Sequence, residues 1–241
     1  MFIGHFAAGF AAKKINAKPS LGTYFLAAQF LDLLWPTLLL LGVEKADIST
    51  DPANPIPLAF TDYPVSHSLL AVIGWGLLIG FGYFLFSKNK KGAAVVGLLV
   101  VSHWFLDLLV HIPDLPLYPG GTKTGLGLWH QQWLVLALEM IAFAGGVFLY
   151  YRATKAKNKT GRYALMGLIA FLLFVHIGNV FGPPPESINA VAWVGELQWL
   201  FVIWAYWVDR NRVRRTDISF QKNQTNLRTN ISIAEKGKAE I

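Results

Sequence analysis

Three ionisable side chains, His103, Asp107 and His111, follow one another at intervals of four residues inside an otherwise apolar run. On a helix this spacing places all three on one face, within an arc of roughly 80°. An ionisable side chain in the hydrocarbon of a bilayer costs about 2.5–3.5 kcal/mol even on the more lenient insertion scale. A histidine and an aspartate one turn apart can bind one metal ion, which relieves the burial of both. The spacing therefore favours a metal site over a hydrogen-bonded pair that only fixes helix packing.

Ionisable residues also occur deep in several other apolar runs. Counted at 1.5 Å per helical residue from the nearest basic cluster, Asp32, His103, Glu139 and Glu196 come out roughly 18–20 Å deep, near the middle of a bilayer. His67 comes out at roughly 30 Å or more, at the outer interface. These depths predict a polar pocket that opens to the outside. Glu139 and Glu196 are candidates for a general base, a carboxylate that pairs with a histidine, or a carboxyl that stays protonated.

The other histidines have less specific interpretations. His5 reaches the pocket, near Asp32, if the N-terminal stretch is a half-helix that dips in from the cytoplasm, and lies outside the pocket if that stretch stays on the surface. His111 and His130 are expected at water-accessible interfaces, where a histidine costs little. His176 lies on an otherwise apolar run, and a hydrogen bond between helices is the favoured role for it.

The elements that must position these residues are transmembrane helices. The chain of 241 residues is 54% hydrophobic and only 15% charged, and its mean hydropathy is +0.43, values typical of a polytopic membrane protein. The predicted fold is all-α, with about six transmembrane helices plus an N-terminal half-helix. The absence of cysteine excludes disulfides and thiolate metal sites. The predicted spans are Leu21–Val43, Ser66–Phe86, Ala93–Ile112, His130–Tyr151, Tyr163–Phe181 and Ala190–Val208.

Loop charge predicts the orientation. In a six-span arrangement all the basic clusters fall on one side, which by the positive-inside rule is the cytoplasm, so both termini are expected there in the cell (inner) membrane. The same loops explain the pI near 9.6 without a nucleic-acid partner. Residues 1–215 are expected to form a single transmembrane domain. Residues 216–241 are polar and lack helical periodicity, which predicts a disordered cytoplasmic tail.

Four short segments together resemble a known family. They are Gly4-His5, Asp32 in the first long run, Ser66-His67-Ser68-Leu69-Leu70 and Ser102-His103-x-x-x-Asp107. They resemble the membrane-bound metal-dependent hydrolases of bacterial inner membranes, the LexA-regulated inner-membrane protein type, which are distantly similar to zinc-dependent phospholipase C. The resemblance implies one zinc site made by Asp32, His67, His103 and Asp107. It further implies that Asp107 bridges to a second ion held with His5.

The chain departs from that family at two of these segments. Leu31-Asp32-Leu33-Leu34-Trp35 lacks the second aspartate and the histidine of the family's Pro-Asp-x-Asp-His. The segment that ends in Ser66-His67-Ser68 lacks the family's earlier histidine. In this segment Ser66 is also a natural N-cap for the following helix, which offers a structural interpretation of the serine beside His67.

These observations leave three functions open. The leading one is a zinc-dependent hydrolase embedded in the lipid bilayer, which acts on an ester or phosphodiester of a lipid-like or other amphiphilic substrate. The second is a permease-like transporter or proton relay, since chains of Asp, Glu and His in spans also move protons. No run is clearly broken into two matching halves, which argues against a transporter. The third is a non-catalytic membrane protein in which a metal or polar cluster only joins helices.

Overall fold

The computed structural model describes residues 1–215, and the tail predicted to be disordered, residues 216–241, lies outside this range. The structure is an all-α bundle, as the composition predicts. Five of its helical segments are long and apolar enough to cross a membrane, or up to six if one bent pair forms a single span. The unbent segments are α4 (Leu69–Ser87), α5 (Lys90–Val110), α6 (Gln132–Ala153), α7 (Lys159–Phe181), and α8 (Ile188–Glu196) continued by α9 (Gln198–Arg210).

The first predicted span is broken. It consists of α2 (Leu21–Ala28) and α3 (Phe30–Leu40), which meet at Gln29 with a bend of 56°. Pro36 lies inside α3, seven residues beyond the bend, so a proline does not make the break. No break is predicted from the sequence for this run, and the bend makes the pair either one broken span or a re-entrant loop. Where α8 joins α9 there is also a one-residue interruption, at Leu197.

The broken helices lie beside each other. α2 packs along α9, and α3 packs along α8. Near the two interruptions, the side-chain amide of Gln29 donates a hydrogen bond to Oε1 of Gln198 at 3.2 Å. Polar side chains that bond across helices at such points replace part of the backbone bonding that an interruption removes.

The N-terminal half-helix is enclosed by the bundle. α1 (Ile3–Ile15) packs mainly against α6, and also against α2 and α5. Its apolar side chains Ile3, Phe6 and Phe10 have no exposed surface. Close approach to α6 depends on Gly146, because a Cβ at that position would lie 2.9 Å from the Cα of Ala7. α1 is thus held firmly enough to carry a functional side chain into the interior.

Large apolar side chains cover the outside of the long helices. Leu77, Phe86, Ile141 and Phe174 are each more than half exposed. A soluble protein rarely exposes so much contiguous apolar surface, whereas the hydrocarbon of a bilayer requires it. The outer surface therefore agrees with the multi-pass membrane fold.

Short antiparallel strand pairs lie at both ends of the bundle. One end has β1 (Lys45–Ile48) with β2 (Leu58–Asp62), β3 (Leu115–Pro116) with β4 (Lys123–Thr124), and a 3₁₀ turn at Leu128–His130. The other end, here called the basic end, has β5 (Thr154–Ala156) with β6 (Arg212–Arg214). At the basic end, Nζ of Lys13, near the end of α1, lies 2.5 Å from Oδ2 of Asp209, near the end of α9.

Reporter fusions should place the two ends on opposite sides of the membrane. The basic end is expected in the cytoplasm, because lysine and arginine are retained on that side. Green fluorescent protein fused after Arg215 should therefore fluoresce, and alkaline phosphatase fused at Asp51 should be active. A phosphatase fusion in the turn at Lys88 serves as the matched inactive control. Cytoplasmic behaviour of the Asp51 fusion would contradict this orientation.

Candidate metal centre

Five side chains from four parts of the fold converge in the interior, and they are here called the His/Asp cluster: His5, Asp32, His67, His103 and Asp107. Nε2 of His103 lies 3.1 Å from Oδ2 of Asp107 and 3.5 Å from Oδ1 of Asp32. Nε2 of His67 lies 3.6 Å from Oδ1 of Asp32 and 3.9 Å from Oδ2 of Asp107. Nε2 of His5 lies 3.1 Å from Oδ1 of Asp107. The structure thus brings together every residue for which the sequence predicted metal binding.

The cluster contains two overlapping sets of potential ligands. One is His5, His103 and Asp107, and the other is Asp32, His67 and His103; within each set the ligand atoms lie within 4.8 Å of one another. The two carboxylate oxygens of Asp107 face different histidines. Oδ1 faces His5, whereas Oδ2 faces His103 and His67. The amino nitrogen of Met1 also lies 2.6 Å from Oδ1. This is the arrangement expected of a carboxylate that bridges two cation positions.

The break between α2 and α3 orients His103. Its Nδ1 lies 2.7 Å from the carbonyl oxygen of Ala28, the last residue of α2. A carbonyl only accepts, so Nδ1 carries the hydrogen and donates it. If the ring is neutral, its Nε2 lone pair then faces the carboxylate oxygens of Asp32 and Asp107. Electron pairs on both sides require a cation between them, either a proton on Nε2 or a metal ion.

A second network orients His67. Nδ1 of His67 lies 2.7 Å from Oγ of Ser66, and this hydroxyl donates to Oε2 of Glu44 at 2.6 Å. The hydroxyl therefore accepts from Nδ1–H, which leaves Nε2 of His67 available toward the cluster. Oε1 of Glu44 accepts the backbone N–H groups of Val65 and Ser66, both at 2.8 Å. An acceptor for the second ring nitrogen, here the hydroxyl of Ser66, fixes the orientation and tautomer of a histidine that offers its other nitrogen to a metal.

This network is not predictable from the sequence. Glu44 follows the first span and Ser66 precedes the second, and no spacing rule connects them. Ser66 does not cap α4 as interpreted from sequence; Ser68 is the N-cap and accepts from the backbone N–H of Ala71. The available signal was an acidic residue at the end of an apolar run, and Glu44 is only 1% exposed.

Replacing Ser66 by alanine should weaken metal binding about 10–100-fold, because partners that orient a ligand histidine typically contribute that much. The matched control is Ser68→Ala, two residues away, which removes the helix cap at a cost of about 1 kcal/mol and the bond to the carbonyl of Pro64, but keeps the hydroxyl that joins His67 to Glu44. Titration with zinc and a competing chelator measures both affinities. Equal affinities in the two variants would show that Ser66 and Glu44 do not contribute to metal binding.

Burial separates one residue from the rest. His5, His67, His103 and Asp107 are buried, whereas the side chain of Asp32 keeps 26% of its surface exposed. The cluster therefore opens at Asp32. The rings of His5 and His103 lie face to face, with centroids 3.5 Å apart and planes inclined by 5°. Two imidazolium ions in that position would repel each other strongly, so this geometry fits at least one neutral ring.

The two predicted carboxylate bases lie in different places. Oε2 of Glu139 accepts the backbone N–H of Gly4 at 3.1 Å, so this buried carboxylate holds the start of α1, directly before His5. Glu196 accepts from the hydroxyl of Thr37 at 2.6 Å, where α3 packs on α8. Among the described contacts, neither carboxylate hydrogen-bonds to a member of the His/Asp cluster. Glu139 is thus adjacent to the cluster, and Glu196 joins two helices.

His176 does not make the predicted hydrogen bond between helices. Within residues 1–215 neither of its ring nitrogens has a hydrogen-bond partner, although the side chain is buried. The ring instead stacks on Phe2, with centroids 6.2 Å apart. The apolar packing of α7 against the start of α1 places the ring there.

His111 is buried rather than placed at a wet interface, which corrects the sequence interpretation. Its Nδ1 lies 2.8 Å from Asp114, and its ring contacts Trp129 with centroids 4.1 Å apart. Tyr63 donates to the same carboxylate at 3.3 Å, and its ring lies 5.3 Å from that of His67. Burial and the charge of Asp114 raise the pKa of Tyr63, so its hydroxyl stays a donor. These side chains form a layer beside the His/Asp cluster, which they meet at His67. His130, in contrast, is exposed.

Comparison with known proteins returned no relative. No family model, no curated protein and no solved structure matches the chain. The geometry of the His/Asp cluster is therefore the basis on which a function can be assigned.

Proposed function

We propose that this protein is a metal-dependent hydrolase embedded in the cell (inner) membrane, with zinc as the metal. The observation that carries the proposal is the convergence of His5, Asp32, His67, His103 and Asp107 in two overlapping sets, within each of which the ligand atoms lie within 4.8 Å of one another. Burying two carboxylates and three imidazoles together in a bilayer is costly unless a cation balances them.

The donor set suits zinc. Imidazole nitrogens with carboxylate oxygens, and no thiolate, bind Zn²⁺ in catalytic sites. Zn²⁺ held by three protein ligands acidifies a bound water toward pKa ~7 and polarises the bond to be cleaved. His103 and His67 are oriented to offer Nε2, and the charges of Asp32 and Asp107 balance a divalent ion. The Asp32–His67–His103 set and the His5–His103–Asp107 set would each supply three ligands to such an ion.

The location of the opening supports a substrate class. Asp32 is the cluster member with exposed surface, and it lies in the first turn of α3, within a membrane-spanning pair. A molecule that reaches Asp32 must enter between membrane helices, which suits a lipid-like or other amphiphilic ester or phosphodiester. Glu139 is the nearer candidate for a base, because it bonds to the residue before His5; Glu196 is the more remote one.

A proton relay is the second candidate. The broken first span, which the sequence did not suggest, is a feature of transporters that bind ions at interrupted helices. A doubly protonated His103 would lie within ion-pair distance of Asp32 and Asp107 without a metal, although its Nε2 makes no hydrogen bond to either carboxylate. A structural cluster that only joins helices is the third. Stoichiometric metal would favour the hydrolase or the structural cluster over the relay, and metal-dependent turnover would favour the hydrolase over the structural cluster.

Hydrolysis by the zinc-loaded protein in detergent should disappear on chelation and return when zinc is added back. Suitable probes are bis(p-nitrophenyl) phosphate for a phosphodiester and a medium-chain p-nitrophenyl ester. His103→Ala should be inactive on the probe that the wild type cleaves, while His130→Ala, with its exposed side chain, should match the wild type. Turnover that survives chelation, or a folded zinc-loaded protein inactive on both probes, would count against this function.

A further inference from the structure

A cavity of about 340 Å³ lies at the basic end of the bundle. Lys13, at its wall, comes eight residues after His5 on α1, so the cavity is roughly 12 Å from the His/Asp cluster along that helix. The cavity is separate from the proposed hydrolytic site. It is lined by Lys13, Ala17, Lys18, Lys157, Asp209, Arg212, Val213 and Arg214.

Buried cations form part of the wall. Lys13 is 3% exposed and bonds to Asp209 at 2.5 Å, and Arg212 is 6% exposed. The guanidinium of Arg212 donates to the hydroxyl of Thr154 and to the carbonyl of Gly161, both at 2.9 Å. The positive-inside rule explains exposed lysines in loops, but it does not require cations fixed in the wall of a cavity.

The lining carries an excess of positive charge. Asp209 is the only carboxylate among the described residues that line the cavity, and it is already bonded to Lys13 and to the hydroxyl of Tyr150 at 2.9 Å. Lys18 and Lys157 extend from the rim with exposed side chains. A concave site with cations at wall and rim attracts a phosphate group.

A second, apolar cavity lies along α9, and Lys157 of the basic-end cavity donates a hydrogen bond to the carbonyl of its Arg210 at 2.8 Å. This second cavity measures about 360 Å³ and is lined by Ile203, Tyr206, Trp207 and Arg210. Ile203, Trp207 and Arg210 are spaced by four and three residues, so they share one helix face. Ile203 is 62% exposed and Trp207 is 49% exposed. An apolar face that ends at an arginine matches an acyl chain below a phosphate.

We propose that the basic-end cavity binds the phosphate of an anionic phospholipid, with an acyl chain along the Ile203–Trp207 face of α9. Basic pockets beside membrane helices recognise phospholipid head groups by this combination of charge and apolar contact. Lys13 and Arg212, already hydrogen-bonded within the wall, would add positive potential, and the exposed Lys18 and Lys157 would contact the phosphate.

Native mass spectrometry of the full chain in detergent tests the proposal, with phosphatidylglycerol and phosphatidylcholine titrated separately. Wild-type protein should retain phosphatidylglycerol in preference to phosphatidylcholine. Lys18→Gln/Lys157→Gln should weaken phosphatidylglycerol binding about fivefold per lysine. The matched control is Lys88→Gln/Lys90→Gln, which removes the same charge at the turn between α4 and α5 and should bind like the wild type.

Three results would overturn the proposal. One is equal weakening in the two double variants, which would mean a general charge effect. Another is equal retention of the two lipids by the wild type. The third is displacement of phosphatidylglycerol by millimolar inorganic phosphate, which would assign the cavity to a free anion. If the double variant does not fold, the single variants Lys18→Gln and Lys157→Gln, compared with Lys88→Gln, give the same test.

Discussion

Replacing His103 by alanine is expected to remove bound metal from the protein. His103 is the ligand shared by both potential ligand sets, so its loss disrupts each of them at once. The wild type, purified without chelator from zinc-supplemented cells, should carry one or two ions per chain, and His103→Ala should carry almost none. Because a metal that binds only the folded state stabilises it, zinc should raise the melting temperature of the wild type and not of the variant.

His176→Ala is the control for that result. His176 is also a buried intramembrane histidine, but it stacks on Phe2 and belongs to neither ligand set. It should keep its metal. His67→Ala should lose metal as His103→Ala does. A folded His103→Ala protein with the metal content of the wild type would end the hydrolase proposal and leave the relay or the structural cluster.

Substituting Gly146 by alanine should both destabilise the protein and disturb the metal centre. The new Cβ would overlap the backbone of Ala7, so α1 would have to move away from α6 and take His5 with it. Overpacking of this kind typically costs about 1–3 kcal/mol. We expect a lower melting temperature and reduced metal content, measured in the same detergent as for the wild type.

The neighbouring Gly145 provides the matched control. A Cβ at Gly145 meets nothing within 4 Å, and the residue faces outward. Gly145→Ala should be neutral or slightly stabilising, because alanine is favoured over glycine in a helix by about 0.5–1 kcal/mol. Gly146→Ala and Gly145→Ala proteins that melt alike would mean that α1 is not held against α6 as described.

Much of this organisation could be predicted from the sequence because it depends on local patterns. Apolar runs of about twenty residues locate the spans, since a helix needs that length to cross a bilayer. The four-residue spacing of His103 and Asp107 places them on one face whatever the rest of the fold does. Intramembrane charges must face inward, which directs Asp32 to the same interior.

The rest could not be predicted because it depends on tertiary contacts. The break at Gln29 has neither proline nor glycine beside it, and the nearest proline, Pro36, lies seven residues away inside α3. The depth count places His67 at the outer interface, yet its Nε2 lies 3.6 Å from Oδ1 of Asp32. The difference arises because the chain enters the bundle before α4 begins at Leu69. Glu44 and Ser66 meet only after two spans have packed.

X-ray absorption at the zinc edge of the purified wild-type protein tests the central claim most directly. The His/Asp cluster predicts bound zinc whose neighbours are only nitrogen and oxygen at about 2.0–2.2 Å, including the outer scattering of imidazole rings, with no sulfur near 2.3 Å. That signal should be absent from His103→Ala. A folded wild-type protein that binds no zinc, or zinc whose spectrum lacks imidazole, would contradict the metal centre.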